Sequence, residues 1–350
     1  MALVFGDSFD HYTRDDILKK WTSTTGTTVA TGSCLPEPYG LTPHAYCLYA
    51  RDAKYLDKVL VTALATFVAG FWYKSDSVTA AQIIFTGQDS ATPANIHVSL
   101  RSDTTGHLTF CRDATVLATS TNTLSTNTWY HIEIKATIGD APNGAYEVRV
   151  DGSPTNWIAA ATGADTRNSG NATIGAVRLY GGTNIAAPGS HLFQDFYLLD
   201  TTGAQASDFL GPSRFAVLRP VSAGNSAEWA GNPHADNFVN VSEYLADGDT
   251  SFNEDTTAGH VDTFGLSDVP AGTIHAIQHV IMARKDAGAA RTIRPITRIG
   301  GTDYAGTTVS LSAGYVFLTE PVMFSPATGG ATAFDDAELD GAEGGYELVS

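Results

Sequence analysis

Trp129-Tyr130-His131-Ile132-Glu133-Ile134-Lys135-Ala136-Thr137-Ile138 alternates without a break. Tyr130, Ile132, Ile134, Ala136 and Ile138 fall on one side of an extended chain, and His131, Glu133, Lys135 and Thr137 on the other. Side chains of a β-strand point to opposite faces with period two, so this stretch predicts a strand with one buried face. Gly139-Asp140-Ala141-Pro142-Asn143-Gly144 follows, a cluster of residues that turns require. Tyr146, Val148 and Val150 then repeat the pattern against Glu147, Arg149 and Asp151, and Asp151-Gly152 ends the run. The whole stretch predicts a β-hairpin closed by a second turn.

Moving outward, strands are expected at 67–74, 82–87, 96–101, 107–111, 173–180 and 192–200, separated by Gly, Pro, Asn and Asp clusters. Many short strands at this spacing indicate a sandwich or jelly roll. One short helix is expected near the start, with Thr13 and Asp16 suited to its N-terminus and Ile17, Leu18 and Trp21 to its apolar face. The strand pattern stops at Asp200, and Gly211-Pro212 opens a linker. The predicted fold class is therefore all-β, with two tandem β-sandwich (jelly-roll) domains at 1–210 and 211–350. In the second, 273–283 also fits helical spacing, but its β-branched content favours a strand buried on both faces. Strands are also expected at 291–299, 315–318 and 321–324. The acid- and glycine-rich run from Asp335 to Glu347 reads as peripheral.

The chain has 350 residues, 43% hydrophobic and 16% charged, which excludes a disordered polymer. Its net charge of −17 argues against a nucleic-acid partner, because phosphate binding needs clustered Lys and Arg. The acid is uneven: residues 1–213 carry −6 and residues 214–350 carry −11. The longest apolar run, Val59 to Tyr73, is interrupted by Thr62, Thr66 and Gly70, so no membrane insertion is expected. The opening Met-Ala-Leu-Val-Phe-Gly-Asp has neither the basic nor the apolar region of a secretory signal. Cys34, Cys47 and Cys111 are odd in number and form no CxxC pair, so the expectation is a fold without disulfides or structural zinc, made in a bacterial cytoplasm.

Several short motifs occur in a telling order. Phe5-Gly6-Asp7-Ser8-Phe9-Asp10-His11-Tyr12 precedes the helix; then come Gly70-Phe71-Trp72, Trp129-Tyr130-His131-Ile132-Glu133-Ile134, Val148-Arg149-Val150-Asp151-Gly152 and Asp195-Phe196-Tyr197-Leu198-Leu199-Asp200. This order resembles the concanavalin A-like, laminin G-type jelly rolls, in particular those of tailed-bacteriophage virion proteins. The continuation through Gly211-Pro212-Ser213-Arg214, Leu218-Arg219-Pro220 and Ala223-Gly224-Asn225-Ser226 is similar to the second unit of such proteins. The resemblance implies a structural component of a virion, a tail-tip, fibre or other projecting protein. Its partners would be other virion proteins and further copies of itself in a homo-oligomer. A glycan-binding adhesin contacting host surface polysaccharide is the alternative it implies.

The Glu-x-Asp-x-x-Glu array of laminarinase-type hydrolases, which puts an acid and a nucleophile on one strand face, is absent, and an enzyme is not expected. No HExxH, GxSxG, GxGxxG or P-loop occurs. His275 and His279 read as structural. Asp7, Asp10, Asp15 and Asp16 form one group of oxygen ligands and Asp247, Asp249, Glu254 and Asp255 another. Of these, Asp7, Asp10, Asp247 and Asp249 are the candidates should calcium bind, as it does in many laminin G-type domains; no other cofactor is expected. Trp72 and Trp129 read as core. Trp157, after Pro154-Thr155-Asn156 in an expected loop, is the candidate glycan-contacting aromatic. Arg284, Lys285, Arg291, Arg294 and Arg298 read as surface pairing within an acidic domain.

Overall fold

The computed structural model describes residues 3–25, 28–31, 46–50, 54–182, 191–203, 205–286, 288–322, 325–330 and 332–350. They fall into two compact units, Met1–Phe215 and Ala216–Ser350. The structure is all-β and antiparallel, and it contains the expected hairpin.

Unit 1 contains β1 (Leu3–Asp7), α1 (Ile17–Lys20), β2 (Ser23–Thr24), β3 (Thr28–Thr31), β4 (Tyr46–Ala50), β5 (Tyr55–Leu64), β6 (Thr66–Ser75), β7 (Gln82–Asp89) and β8 (Ile96–Ser102). It continues with β9 (His107–Arg112), β10 (Thr115–Thr123), β11 (Tyr130–Thr137), β12 (Gly144–Val150), β13 (Ser153–Ala164), β14 (Ile174–Tyr180) and β15 (His191–Leu199). Sheet A runs β13-β12-β11-β6-β15-β4-β3, with β1 also on β15; sheet B runs β10-β9-β8-β7-β14-β5-β2.

The two sheets pack through aromatic side chains. Phe71 of sheet A stacks on Phe85 of sheet B at 6.1 Å, and Tyr146 of sheet A on Phe110 of sheet B at 4.6 Å. Ile132, Ile134 and Ala136 join them inside, all at most 1% exposed. Each such large apolar side chain withdrawn from water contributes about 1.5–3 kcal/mol, which is what selects this register of the alternating strand. In register, Ile132 faces Val150 and Ile134 faces Val148 across the hairpin, so a slip by one residue would bury Glu133 and Lys135 between the sheets.

Cys47, fully buried in β4, is disulfide-bonded, which corrects the expectation of a fold without such links; Cys111 is buried and free. Cys34 lies outside the described residues. No helix among the described residues is long and apolar enough to cross a membrane.

Unit 2 holds β16 (Pro220–Ala227), β17 (Ala230–Asn232), β18 (Phe252–Glu254), β19 (Val261–Leu266), β20 (Ile277–Ala283), β21 (Thr292–Ile299), β22 (Thr302–Ala305), β23 (Val309–Ser310), β24 (Val316–Val322), α2 (Asp336–Asp340) and β25 (Glu343–Leu348). A six-stranded sheet, β16-β19-β25-β21-β22 with β23 on β21, packs against the two-stranded ribbon β20-β24 through Phe264, Ile293, Leu318 and Tyr346. The second layer is thus a ribbon rather than a sheet of similar size.

Two expectations change here. β20 is half-buried rather than covered on both faces, because its ribbon has a single packed side. The run from Asp335 to Glu347 is not peripheral: β25 sits between β19 and β21. Its glycines permit this, since a Cβ on Gly345 would stand 2.0 Å from the Asp262 carbonyl oxygen. One of its acids, Glu347, is matched by Arg294 at 2.8 Å.

Candidate functional site

The outer face of sheet A, away from sheet B, carries an unusual row. Opposite Gly70 of β6 lies Glu133 of β11 on one side and Tyr197 of β15 on the other. Next along, Trp72 faces His131 on one side and Gln194 on the other. Strict alternation along β15 would put Tyr197 on the same face as Phe193, inside the sandwich. A bulge between Gln194 and Tyr197, with Asp195 at φ 52°, inserts residues and resets the parity. Phe196 therefore packs inward against Phe71, and Tyr197 turns outward.

The phenol of Tyr197 crosses Gly70 and donates to Glu133 Oε1 at 2.6 Å. The same oxygen accepts from the backbone N–H of Leu210 at 2.7 Å and of Gly211 at 3.1 Å. Glu133 and His131 are fully buried, and Gln194 and Tyr197 nearly so. Even so, Glu133 Oε2, both ring nitrogens of His131 and Gln194 Oε1 have no hydrogen-bond partner among the described residues. Unpaired buried polar atoms cost about 1–3 kcal/mol each, so four in one patch mark a place where structure is not the whole purpose.

Burial raises the Glu133 carboxyl above its ordinary value, against the lowering effects of Tyr197, the two N–H donors and the Arg149 charge. Burial pushes His131 down to about 3, so its ring is neutral. The ring centroids of Trp72 and Tyr197 lie 5.3 and 6.2 Å from that of His131. A neutral imidazole, a carboxyl with a raised pKa and a tyrosine hydroxyl next to an indole form a set that can bind hydroxyl groups and exchange protons.

Segment 208–215 covers this row. Besides its bonds to Glu133, Ser213 O accepts from Trp72 Nε1 at 2.9 Å, and Phe215 N donates to Asp195 Oδ1 at 3.0 Å. Lys135 meets Asp208 at 3.0 Å, and the Arg149 guanidinium lies 4.0 Å from the centroid of the Phe209 ring.

No protein-family model matches the sequence, and no curated protein matches it either. Solved structures do. An endo-β-1,4-glucuronan lyase from the fungus Trichoderma reesei is 10% identical, with TM-score 0.42, over 56% of this chain and 95% of that one. A PL-14 alginate lyase from Aplysia kurodai is 12% identical, with TM-score 0.41, over 57% and 100%. A heptameric SAP-like pentraxin from Limulus polyphemus is 13% identical, with TM-score 0.30, over 43% and 74%. No residue role, substrate or reaction is carried over at these values. The expectation that the chain is not an enzyme is nevertheless corrected, because two of these three proteins are lyases and an architecture of this kind does not exclude catalysis.

Trp157 lies in β13 rather than in a loop; it is half-buried, edge-on to Tyr130 at 6.2 Å, and is not part of the row on the outer face. Trp72 is buried on that face under segment 208–215 rather than between the sheets. Trp129 is half-buried, with Lys74 Nζ 4.8 Å above its ring.

Asp7 is a buried hub. Its oxygens accept from Phe9 N at 3.0 Å, Tyr12 Oη at 2.5 Å, Lys20 Nζ at 3.1 Å and Trp21 Nε1 at 2.6 Å. The Asp10 backbone N–H donates to Ser8 Oγ at 3.2 Å. Asp247 accepts from Ser251 N and Oγ, and Asp249 from Arg284 and Tyr315, each at 2.7 Å. Among the described residues, no three His, Cys, Asp or Glu side chains converge as a metal site. Arg284, Arg294 and Arg298 pair with Asp249, Glu347 and Asp303, the surface pairing expected of them. His279 bonds Thr297 Oγ1 at 2.6 Å.

In the sequence Glu133 and His131 read only as the outward-facing residues of an alternating strand, and Tyr197 and Gln194 carry no signal of a site. The one available signal was a carboxylate and an imidazole two residues apart on a strand face otherwise expected to be solvated.

Proposed function

We propose that the chain is a surface-recognition component of a tailed-phage particle. Its first unit, a concanavalin A-like, laminin G-type jelly roll, takes carbohydrate on the outer face of sheet A. The observation that carries the reading is the group of unpaired hydrogen-bonding atoms on Glu133, His131 and Gln194 beside the Trp72 and Tyr197 rings. Sugars present both features these residues match: hydroxyls for planar polar groups and C–H faces for aromatic rings.

The order of motifs from Phe5 to Asp200 supports the particle context. The second, more acidic unit serves assembly with other virion proteins in a homo-oligomer, after synthesis in the host cytoplasm.

Binding of purified protein to bacterial surface polysaccharides by calorimetry tests the recognition. Wild type binds at least one, and Glu133→Gln weakens it by roughly tenfold, the loss of one charge-assisted hydrogen bond. Trp72→Phe weakens it as well. Failure of every polysaccharide to bind, or binding indifferent to both substitutions, would remove this reading. Mass spectrometry of intact particles tests the location separately.

A second reading is favoured by the contact between the Tyr197 hydroxyl and Glu133, with neutral His131 alongside: the face cleaves the glycan that it binds. Shortening of the polysaccharide during the same titrations, lost in Tyr197→Phe, distinguishes cleavage from binding alone.

A further inference from the structure

Segment 208–215 touches the outer face of sheet A in the manner of a ligand. Its acidic residue Asp208 sits on Lys135, its Phe209 ring on Arg149, two successive N–H groups on Glu133 and one carbonyl on the Trp72 indole. It is nevertheless an incomplete occupant. Its backbone uses one oxygen of Glu133 and leaves the other unpaired, with His131 and Gln194 unpaired beside it.

The contacts at its leading end are the weakest. The Lys135–Asp208 pair is 34% and 63% exposed, so water screens it. Pro212 is exposed and rests against Gly152, where a Cβ would come within 3.3 Å of its ring.

We propose that this strap is a built-in competitor for the recognition face, and that the ligand displacing it is a carboxylated glycan. The inference rests on the carbohydrate reading above and names both what the site takes and what holds it closed. In a chain of net charge −17, this face presents Lys135 and Arg149 beside Glu133 and Glu147; Arg149 is paired with Glu147 at 2.6 Å and takes only the Phe209 ring from the strap, so Lys135 is the cation that the strap answers with a carboxylate.

A hexuronate carboxylate replaces Asp208 on Lys135. Its ring hydroxyls replace the N–H groups of Leu210 and Gly211 on Glu133, and further hydroxyls reach the atoms that the strap leaves unpaired. A neutral glycan has no group to exchange for Asp208.

Hydrogen exchange on the full chain, read at the Leu210 and Gly211 amides, tests this with oligogalacturonate, with a maltooligosaccharide of equal length and with no glycan. Two variants alter the strap alone: Asp208→Ala removes its carboxylate, and Leu210→Pro removes one donor to Glu133, with Gly211 as the remaining reporter. Oligogalacturonate should deprotect the strap amides and the neutral oligomer should not. Both variants should raise the affinity for oligogalacturonate by about 3- to 10-fold, because an open face no longer shares its population with a closed one.

Oligogalacturonate bound with the strap amides still protected, or affinities unchanged in both variants, overturns the competitor while leaving recognition intact. An equal response to the neutral oligomer overturns the carboxylate requirement. Absence of binding by either variant to any glycan overturns the recognition reading and this proposal together.

Discussion

Tyr197 lies directly over Gly70: a Cβ at residue 70 would stand 2.1 Å from the tyrosine ring carbon Cζ. Only a residue without a side chain lets a group on β15 reach across β6 to one on β11. Gly70→Ala therefore displaces the ring, breaks the bond to Glu133 and costs about 2–4 kcal/mol from overpacking and a lost buried hydrogen bond. Tyr197→Phe removes only the hydroxyl and costs about 1–2 kcal/mol. Urea midpoints check both values; an alanine at residue 70 as stable as the native glycine would show that the crossing is not tight.

Buried imidazoles make unit 1 acid-labile. Burial holds His131 down to about 3, and His191, also by burial and against its bond to the Tyr180 carbonyl, at about 4, from an ordinary value of 6.5. Below 6.5 the unfolded chain takes up protons that the folded chain refuses, so stability falls as pH drops through that window. At pH 5 each histidine costs about 2 kcal/mol.

Glu133 acts in the opposite sense. Its raised folded pKa gives a contribution fully present below its ordinary value of 4.5 and lost as pH rises through the folded value. His11, held at about 3 by burial and the Lys20 charge, adds to the histidine-driven fall between pH 6.5 and 5. His131→Gln should flatten the fall in stability across that range by about 2 kcal/mol; a slope equal to wild type would refute the assignment.

Asp7 is matched by Lys20, whose side chain is 1% exposed. Burial pushes the Asp7 carboxyl up, and the charges of Lys20 and His11 with the Tyr12 and Phe9 donors outweigh it and hold it below its ordinary value. Asp7→Asn leaves the ammonium buried without a counter-charge and destabilises by about 3–5 kcal/mol. Adding Lys20→Met to Asp7→Asn recovers most of the loss, which a double-mutant cycle in urea measures. Millimolar calcium should not shift the melting temperature of the wild type through Asp7, because the ion would have to expel Lys20 from its oxygen.

Reduction of the Cys47 disulfide should lower stability by about 2–4 kcal/mol through the freedom returned to the unfolded chain. Melting with and without a thiol reductant checks this, and Cys111→Ser keeps the full response. Melting curves that coincide under both conditions would show that the bond contributes nothing to stability.

The β11–β12 hairpin was legible because period-two alternation is local: each residue of Tyr130–Thr137 declares its face through its nearest neighbours. The candidate site was not, because its bonds are distant in sequence. Tyr197 lies 64 residues from Glu133 and Leu210 lies 77. The bulge that turns Tyr197 outward rests on one left-handed residue, Asp195, inside a run that otherwise reads as an unbroken apolar strand.

Trp157 was misplaced for a local reason. Ser153-Pro154-Thr155-Asn156 has the composition of a turn, yet β13 is the edge of sheet A, where a proline without an N–H is tolerated. For β25, charge and glycine content suggested an exposed tail, whereas Gly345 is what lets the backbone of β19 approach.

The position of β25 bears on the order in which this protein assembles during synthesis. β1 to β15 all lie within the first compact unit, so its two sheets can close while later residues are still being added. Unit 2 has no such early path. Until Glu343–Leu348 emerges, β16-β19 and β21-β22 are two separate pieces of sheet, each with an open edge. Of this unit's strands, the one latest in chain order is the one that splices them.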